Sequence, residues 1–424
     1  VTRDGSGLAA YGAVTVAYWA FMLTDGALRM LVLLHFHTLG FSPVQLAYLF
    51  VFYEIAGIAT NLSAGWIAAR FGLTRTLYAG LTLQVLALVA LAGLDPAWSI
   101  TVSVVYVMLV QGVSGVAKDL AKMSSKSAVK LLAPTEGDGL FRWVALLTGS
   151  KNAVKGLGFL LGAGLLGTFG FVPSILVMAA VLAVILVAVL LRMPDGLPKG
   201  RKDAKFTDVW SKNRNINWLS FARVFLFGAR DVWFVVGIPV YFYAVLSDGT
   251  EAGNRQTFFL IGSFMALWII LYGAVQAFAP RVLRAAHRSE ADLVKDAHTW
   301  VAVLCIIPSG LAALVWLAGS PVAWLTWTLV IGLLVFGAVF AVNSALHSYL
   351  ILAFTQDDRV TMDVGFYYMA NAAGRLLGTV LSGLSYQIGG LSLCLATAAV
   401  MLALSAFGAG QLRAQPKPFP FVGL

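Results

Sequence analysis

Nine charged residues interrupt long apolar runs in this chain. Arg29, Lys151, Lys155, Arg223, Arg230 and Arg375 are basic; Asp25, Glu54 and Asp231 are acidic. Charges at membrane depth are rare and mark substrate pathways, proton relays or ligand counter-ions. Six bases against three acids leave a positive surplus, and a buried unpaired charge is costly. A polyanionic ligand would supply the missing partner, whereas a cationic one would worsen the imbalance. The guanidinium fork suits that task, because it makes two parallel bonds to a phosphate-like oxyanion. The chain shows no nucleophile elbow, zinc-helix pair, P-loop or CxxC motif, so neither catalysis nor a cofactor is expected.

Spacing sharpens some of these residues and leaves others open. Asp25 and Arg29 are four apart, so they can pair across one helical turn. Arg223 and Arg230 are seven apart and share a face. Each arginine has a structural reading, Arg29 with Asp25 and Arg230 with Asp231. Adjacent helical residues point about 100° apart, however, so Asp231 is poorly placed to neutralise Arg230. Lys151 and Lys155 lie one turn apart near Gly158 and Gly162. They read as substrate or gate residues, as an inter-domain ion pair, or as a snorkelling helix end. Lys118, Lys122, Lys126 and Lys130 recur every four residues along one face, beside Ser124, Ser125 and Ser127. That face is either a solvated positive flank or a funnel drawing an anion into the cytoplasmic mouth. For proton coupling the candidates are Glu54, which has no evident local base, then Asp25 and Asp231, with Asp119 and Asp363 nearer the cytoplasm.

The elements that position these residues follow from composition. Of 424 residues, 60% are hydrophobic and 11% charged, a balance suited to a surface facing lipid. Continuous apolar runs favour helices over the alternating pattern of a barrel. Runs long enough to span give twelve segments, from Leu8–Phe36 to Leu391–Phe407. The first is too long for a signal peptide core and carries Asp25 and Arg29. With the N-terminus inside, Arg70, Arg75, Lys118, Lys122, Lys126, Lys130, Arg142 and the block from Arg192 to Arg214 fall on the cytoplasmic side. So do Arg281, Arg284, Arg288, Lys295, Arg359, Arg413 and Lys417, while outside loops hold only Arg255. This obeys the positive-inside rule and accounts for most of the +10 net charge. Nucleic acid is not needed as a partner.

The expected organisation is a six-helix bundle over residues 1–193, a basic linker over 194–215, a second bundle over 216–410 and a tail over 411–424. Both termini are then cytoplasmic and the chain is expected to act as a monomer in the bilayer. An offset of 220 aligns Ala133–Asp138 with Ala353–Asp358, Lys155 with Arg375 and Gly158 with Gly378. This supports a duplicated six-helix unit. Cys305 and Cys394 are too far apart for a disulfide framework or a thiolate cluster, and read as small hydrophobes. His35 and His37 read as interfacial, so no metal site is expected.

The junction Gly65-Trp66-Ile67-Ala68-Ala69-Arg70-Phe71-Gly72-Leu73-Thr74-Arg75 resembles the loop signature of the major facilitator superfamily. Ala69 replaces its acidic residue, which puts the usual charge-relay latch in doubt. Gln111-Gly112 resembles a second signature, with Met108 where an arginine is common. Longer strings resemble a narrower group, the organoarsenical efflux permeases of bacterial arsenic-resistance operons (the ArsJ type). They are Leu23-Thr24-Asp25-Gly26-Ala27-Leu28-Arg29-Met30, Lys122 to Lys130, Thr148 to Gly156, and Phe227-Gly228-Ala229-Arg230-Asp231-Val232-Trp233. The likeness runs from the first helix to about the seventh. It implies export of 1-arseno-3-phosphoglycerate from the bacterial inner membrane, with a functional link to the glyceraldehyde-3-phosphate dehydrogenase that forms this ester. Transport of another organophosphate or of a drug is the alternative. The superfamily resemblance further implies that Arg29 and Arg230, on the first and seventh helices, clamp the substrate from the two halves. Trivalent arsenic would demand a thiolate cluster; with two distant cysteines, a hard oxyanion read by Arg and Lys remains.

Overall fold

The computed structural model describes residues 6–132, 139–192, 211, 213–283, 289–355 and 360–414. Twelve α-helices are present among them. They are α1 (Ser6–Thr38), α2 (Pro43–Tyr48), α3 (Val51–Ala92), α4 (Ile100–Leu132), α5 (Gly139–Phe169), α6 (Phe171–Arg192), α7 (Arg214–Val232), α8 (Ile238–Leu246), α9 (Glu251–Val282), α10 (Glu290–Ala318), α11 (Ala323–Phe354) and α12 (Val360–Ala409). A π-helical turn, Trp233–Gly237, joins α7 to α8. Most of the predicted basic linker, Ala133–Asp138 and Gln356–Arg359 lie outside the described residues, as do the side chains of Lys126 and Lys130.

Helices and spans do not correspond one to one. Within α3, Gly72 adopts φ 74°, so the helix breaks there into two spans. Only glycine takes this backbone without strain. The run Asp363–Ala409 is 47 residues long, about 70 Å at 1.5 Å per residue, more than twice the hydrocarbon thickness. It breaks at Gly389 and Gly390, the latter with φ 61°. Counting both breaks, the described residues hold twelve spans long and apolar enough to cross a membrane.

Burial separates central from peripheral helices. The span made by α7, the π turn and α8 is 83% buried over its most apolar window and that of α1 is 72%, against 33% for α6 and 28% for α10. The peripheral helices present Val184, Leu191, Ile306 and Trp316 outward. Such apolar exposure is stable only against lipid. The halves pack along two seams, α5 on α9 and α3 on α12. At the end away from the inter-half connection they also meet where His37 stacks edge-on against Tyr243 at 4.8 Å and the Val44 amide donates to Gln387 Oε1 at 3.3 Å.

The duplication is visible in the packing. Gly158 on α5 lies so close to α1 that a Cβ there would sit 2.5 Å from the Leu23 carbonyl oxygen. Its repeat partner Gly378 on α12 lies equally close to α7, with the Gly228 carbonyl oxygen 2.5 Å from a Cβ. Glycines at these seats let paired helices touch backbone to backbone. The π turn belongs to the same contact, because Ser382 Oγ accepts from the Val236 and Gly237 amides at 3.0 and 3.2 Å. Amides that the widened turn presents sideways thus gain a partner from α12.

Candidate functional site: a charge chain between the halves

Close seating of α5 on α1 and of α12 on α7 brings the membrane-depth charges together. Lys155 Nζ lies 3.5 Å from Asp25 Oδ2, and Tyr53 donates its hydroxyl to Asp25 Oδ1 at 2.6 Å. Arg29 meets Glu54 Oε1 at 3.3 Å. The same oxygen accepts from Arg375 Nη2 at 2.6 Å, while Arg375 Nε stands 3.8 Å from Asp231 Oδ2. Arg230 closes the series on Asp231 Oδ1 at 2.6 Å. A continuous chain therefore runs Arg29–Glu54–Arg375–Asp231–Arg230, and it crosses from one half to the other at the Glu54–Arg375 contact.

Three expected pairings are corrected by this geometry. Arg29 does not pair with Asp25 one turn away; its partner is Glu54 on α3, while Asp25 is taken by Lys155 and Tyr53. Glu54 has bases after all, since Arg29 and Arg375 both reach it. Asp231 neutralises its neighbour Arg230, because the long arginine side chain bends back across the 100° that separates the two positions. A flexible four-bond stem overrides the helical-wheel argument.

Acids and bases differ in exposure. Side chains of Asp25, Glu54 and Asp231 are 0–3% exposed, whereas Arg29, Lys155, Arg230 and Arg375 keep 13–19%. The bases thus keep more exposed side-chain surface than the carboxylates they pair with. Aromatic faces hold the heads in place: Arg29 lies over Phe50 at 5.1 Å, and Arg230 over Phe227 at 5.1 Å and Phe340 at 5.7 Å. Cation–π contacts orient guanidinium without consuming its hydrogen-bond donors.

A second group lies toward the linker-side end. Lys118 Nζ sits 4.0 Å above the Tyr53 ring. Lys122 lies 3.6 Å from Asp119 Oδ1, donates to Asn61 Oδ1 at 3.0 Å and approaches the Tyr368 ring of the other half. Asp119 also accepts from Thr60 at 2.5 Å. Lys151 is partly exposed one turn from Lys155 on α5. Arg223 is set apart: it donates to Asn371 Oδ1 at 3.2 Å and to the carbonyl and hydroxyl of Ser344 at 3.2 and 3.3 Å. Of the expected coupling acids, Glu54 and Asp231 belong to the central chain, and Asp25 to the separate pair with Lys155. Asp363 lies apart, accepting from Thr355 at 3.4 Å.

Charge rarity alone does not reveal Tyr53, Asn61, Ser344 or Asn371. The signal they carry is polarity inside apolar runs, most visible for Tyr53 beside Glu54. Taken together, seven bases (Arg29, Lys118, Lys122, Lys155, Arg223, Arg230, Arg375) face four carboxylates (Asp25, Glu54, Asp119, Asp231).

Twelve apolar spans in two duplicated halves, with their charges gathered between the halves, define a membrane transporter. The family model of the Major Facilitator Superfamily matches residues 11–290, and the chain belongs to that superfamily. No curated protein matches the sequence. Similar solved structures include a POT family transporter in complex with 5-aminolevulinic acid, at 14% identity, 94% coverage of each chain and a TM-score of 0.70. A mutant of the nucleoside transporter NupG aligns at 16% identity over 96% of this chain and 98% of that one, with a TM-score of 0.66. A POT family transporter in complex with a thioalcohol-conjugated peptide aligns at 14% identity over 94% of each chain, with a TM-score of 0.69. At these identities the likeness is one of fold.

Proposed function

We propose that the protein exports a small organic polyanion by alternating access, and that this anion is 1-arseno-3-phosphoglycerate, so that the transporter confers arsenate resistance. The observation that carries the anionic part is the surplus of bases gathered between the halves, seven against four carboxylates among the residues named above. Arg29, Lys155, Arg230 and Arg375 keep part of their side chains exposed while the carboxylates they pair with are buried. An arriving anion meets Arg29, Lys155, Arg230 and Arg375 first, with Lys151 and Arg223 as further contacts. Lys118 and Lys122 line its path from the cytoplasmic mouth, and Lys126, whose side chain lies outside the described residues, is the further entry residue expected from the sequence. Identity of the anion rests on the resemblance of the Leu23–Met30, Lys122–Lys130, Thr148–Gly156 and Phe227–Trp233 strings to the organoarsenical permeases.

In this reading the chain sits in a bacterial inner membrane as a monomer with both termini cytoplasmic, and residues 194–215 connect its halves. An inside-negative potential drives each negative charge outward by about 2.3 kcal/mol per 100 mV, so export of a polyanion needs no proton. Where protons are coupled, Glu54 is the acid that both halves share.

The test is uptake of freshly made arsenoester into everted vesicles, together with arsenate resistance of cells with and without the dehydrogenase. Uptake that Arg29→Gln or Arg230→Gln abolishes, and resistance that requires the dehydrogenase, are the expected results. Resistance without dehydrogenase activity would refute the substrate. Equal uptake of unrelated neutral and cationic compounds would favour a drug transporter instead.

A further inference from the structure

The charge chain leaves one buried cation unaccounted for. Arg223 is 4% exposed, yet its partners are all neutral: Asn371 Oδ1, the Ser344 carbonyl and hydroxyl, and the faces of Phe227 and Tyr367. A buried guanidinium without a counter-charge is expensive to keep. Around it α7, α9, α11 and α12 gather further polar groups. Tyr272 and Gln276 reach Ser344 Oγ at 3.2 and 3.4 Å. Asn343 and His347 lie on the same helix as Ser344, both fully buried. Neither ring nitrogen of His347 has a hydrogen-bond partner, and Asn343 Oδ1 has none either. So many amide, hydroxyl and imidazole groups exceed what holding one arginine requires, and buried polar groups left unsatisfied await a partner. The cluster opens where Gln276 and Asn371 keep partial exposure.

From this we infer a second anion subsite in the carboxy-terminal half, centred on Arg223, that takes the far end of a ligand whose near end is held by the central chain. Position supports the division. Arg223 and Arg230 share the Phe227 ring at 3.9 and 5.1 Å, and these distances to one centroid bound the separation of the two guanidinium carbons at about 9 Å. A short carbon chain with an anionic group at each end bridges such a gap. The neutral donors beside Arg223, Asn371 and Gln276 in particular, suit the oxygens of an acyl arsenate or a carboxylate together with a neighbouring hydroxyl. The subsite therefore selects two-ended anions over one-ended anions of similar size. This inference rests on the anion reading above.

Binding to the purified full-length protein in nanodiscs tests it with two probes. One is 3-phosphoglycerate, with an anionic group at each end. The other is glycerol 3-phosphate, the same chain with a hydroxymethyl group in place of the carboxylate. Wild-type protein is expected to favour the first by about tenfold, the worth of one charge-assisted contact. Arg223→Gln brings the two affinities together by weakening only 3-phosphoglycerate, and Arg223→Lys restores part of the preference. Retained binding of glycerol 3-phosphate shows that the variant is folded. Asn371→Ala, a milder change, reduces the same preference. A preference that survives Arg223→Gln overturns the subsite, as does equal weakening of both probes. Wild-type protein that binds neither probe nor the arsenoester refutes the anion reading itself, which is a different failure.

Discussion

The two halves carry the same device and use it differently. In the amino-terminal half, a base on α5 pairs with an acid on α1, Lys155 with Asp25 at 3.5 Å. In the carboxy-terminal half, the repeat-related base on α12 lies 3.8 Å from an acid on α7, Arg375 with Asp231. Glycines 158 and 378, one turn further along, seat both helix pairs at the same closeness. The first pair stays within its half. The second also reaches across to Glu54 at 2.6 Å. Side-chain chemistry explains the difference: ammonium is a compact point charge, whereas guanidinium presents a fork that can serve two carboxylates at once. Duplication supplied two equivalent base positions, and arginine at one of them lets it tie the halves together. The tie falls where an anionic ligand would sit, so ligand and Glu54 compete for the same guanidiniums.

The largest expected effect follows from cutting that tie. Arg375→Gln leaves fully buried Glu54 with Arg29 alone and Asp231 with Arg230 alone. Each carboxylate keeps one cation, so the cost in stability stays below the roughly 3–5 kcal/mol of a fully broken buried pair, but the contact across the halves is lost. Transport in everted vesicles is expected to vanish and the unfolding midpoint of the purified protein to fall. Lys155→Gln, the matching change in the other half, leaves buried Asp25 with the Tyr53 hydroxyl and no cation, so it lowers the unfolding midpoint more but spares the tie between the halves and costs less transport. Equal losses from the two changes would break the proposed asymmetry.

Next come the glycine seats, which test the symmetry itself. Gly158→Ala and Gly378→Ala each force a methyl against a carbonyl oxygen, and overpacking of this kind costs about 1–3 kcal/mol. Similar falls in thermal stability are expected for both. A large loss from one beside a neutral result from the other would show that the halves are not seated alike.

A smaller effect, opposite in sign, is expected from Glu54→Gln. Arg29 and Arg375 lose their internal competitor, so affinity for 3-phosphoglycerate rises by about tenfold in a direct binding assay. Unchanged or weakened affinity would mean that Glu54 does not occupy the ligand's place.

Much of this was legible in the sequence, for a physical reason. Charges are so costly at membrane depth that Arg29, Lys155, Arg230, Arg375, Asp25, Glu54 and Asp231 stand out without any structure. The offset that aligns Lys155 with Arg375 and Gly158 with Gly378 also identified the duplicated seat. Pairing was not legible. Lys155 is 130 residues from Asp25 and Arg375 is 321 residues from Glu54, and only the packing of spans decides such meetings. Local spacing pointed to Asp25 with Arg29, which the fold rejects. The Arg223 cluster was hidden further, since Asn343, Ser344 and Asn371 are uncharged and His347 sits within an apolar run.

The finest test turns one half into the likeness of the other. Asp25 accepts a hydroxyl from Tyr53, whereas Asp231 takes no hydroxyl donor among the described residues. Tyr53→Phe removes that donor but keeps the ring, so Lys118 retains its seat 4.0 Å above it. Lys155 still neutralises the carboxylate, and the net loss is that of a single hydrogen bond, about 1 kcal/mol. With its second partner gone, Asp25 binds Lys155 more tightly and draws its partly exposed head toward the buried carboxylate. A few-fold weaker anion affinity with little change in stability is therefore expected. Replacing Tyr53 by Leu removes the ring as well, and transport then falls further because Lys118 loses its aromatic seat. If Tyr53→Phe and Tyr53→Leu behave alike, the hydroxyl matters and the ring does not, and Lys118 is held by something other than Tyr53.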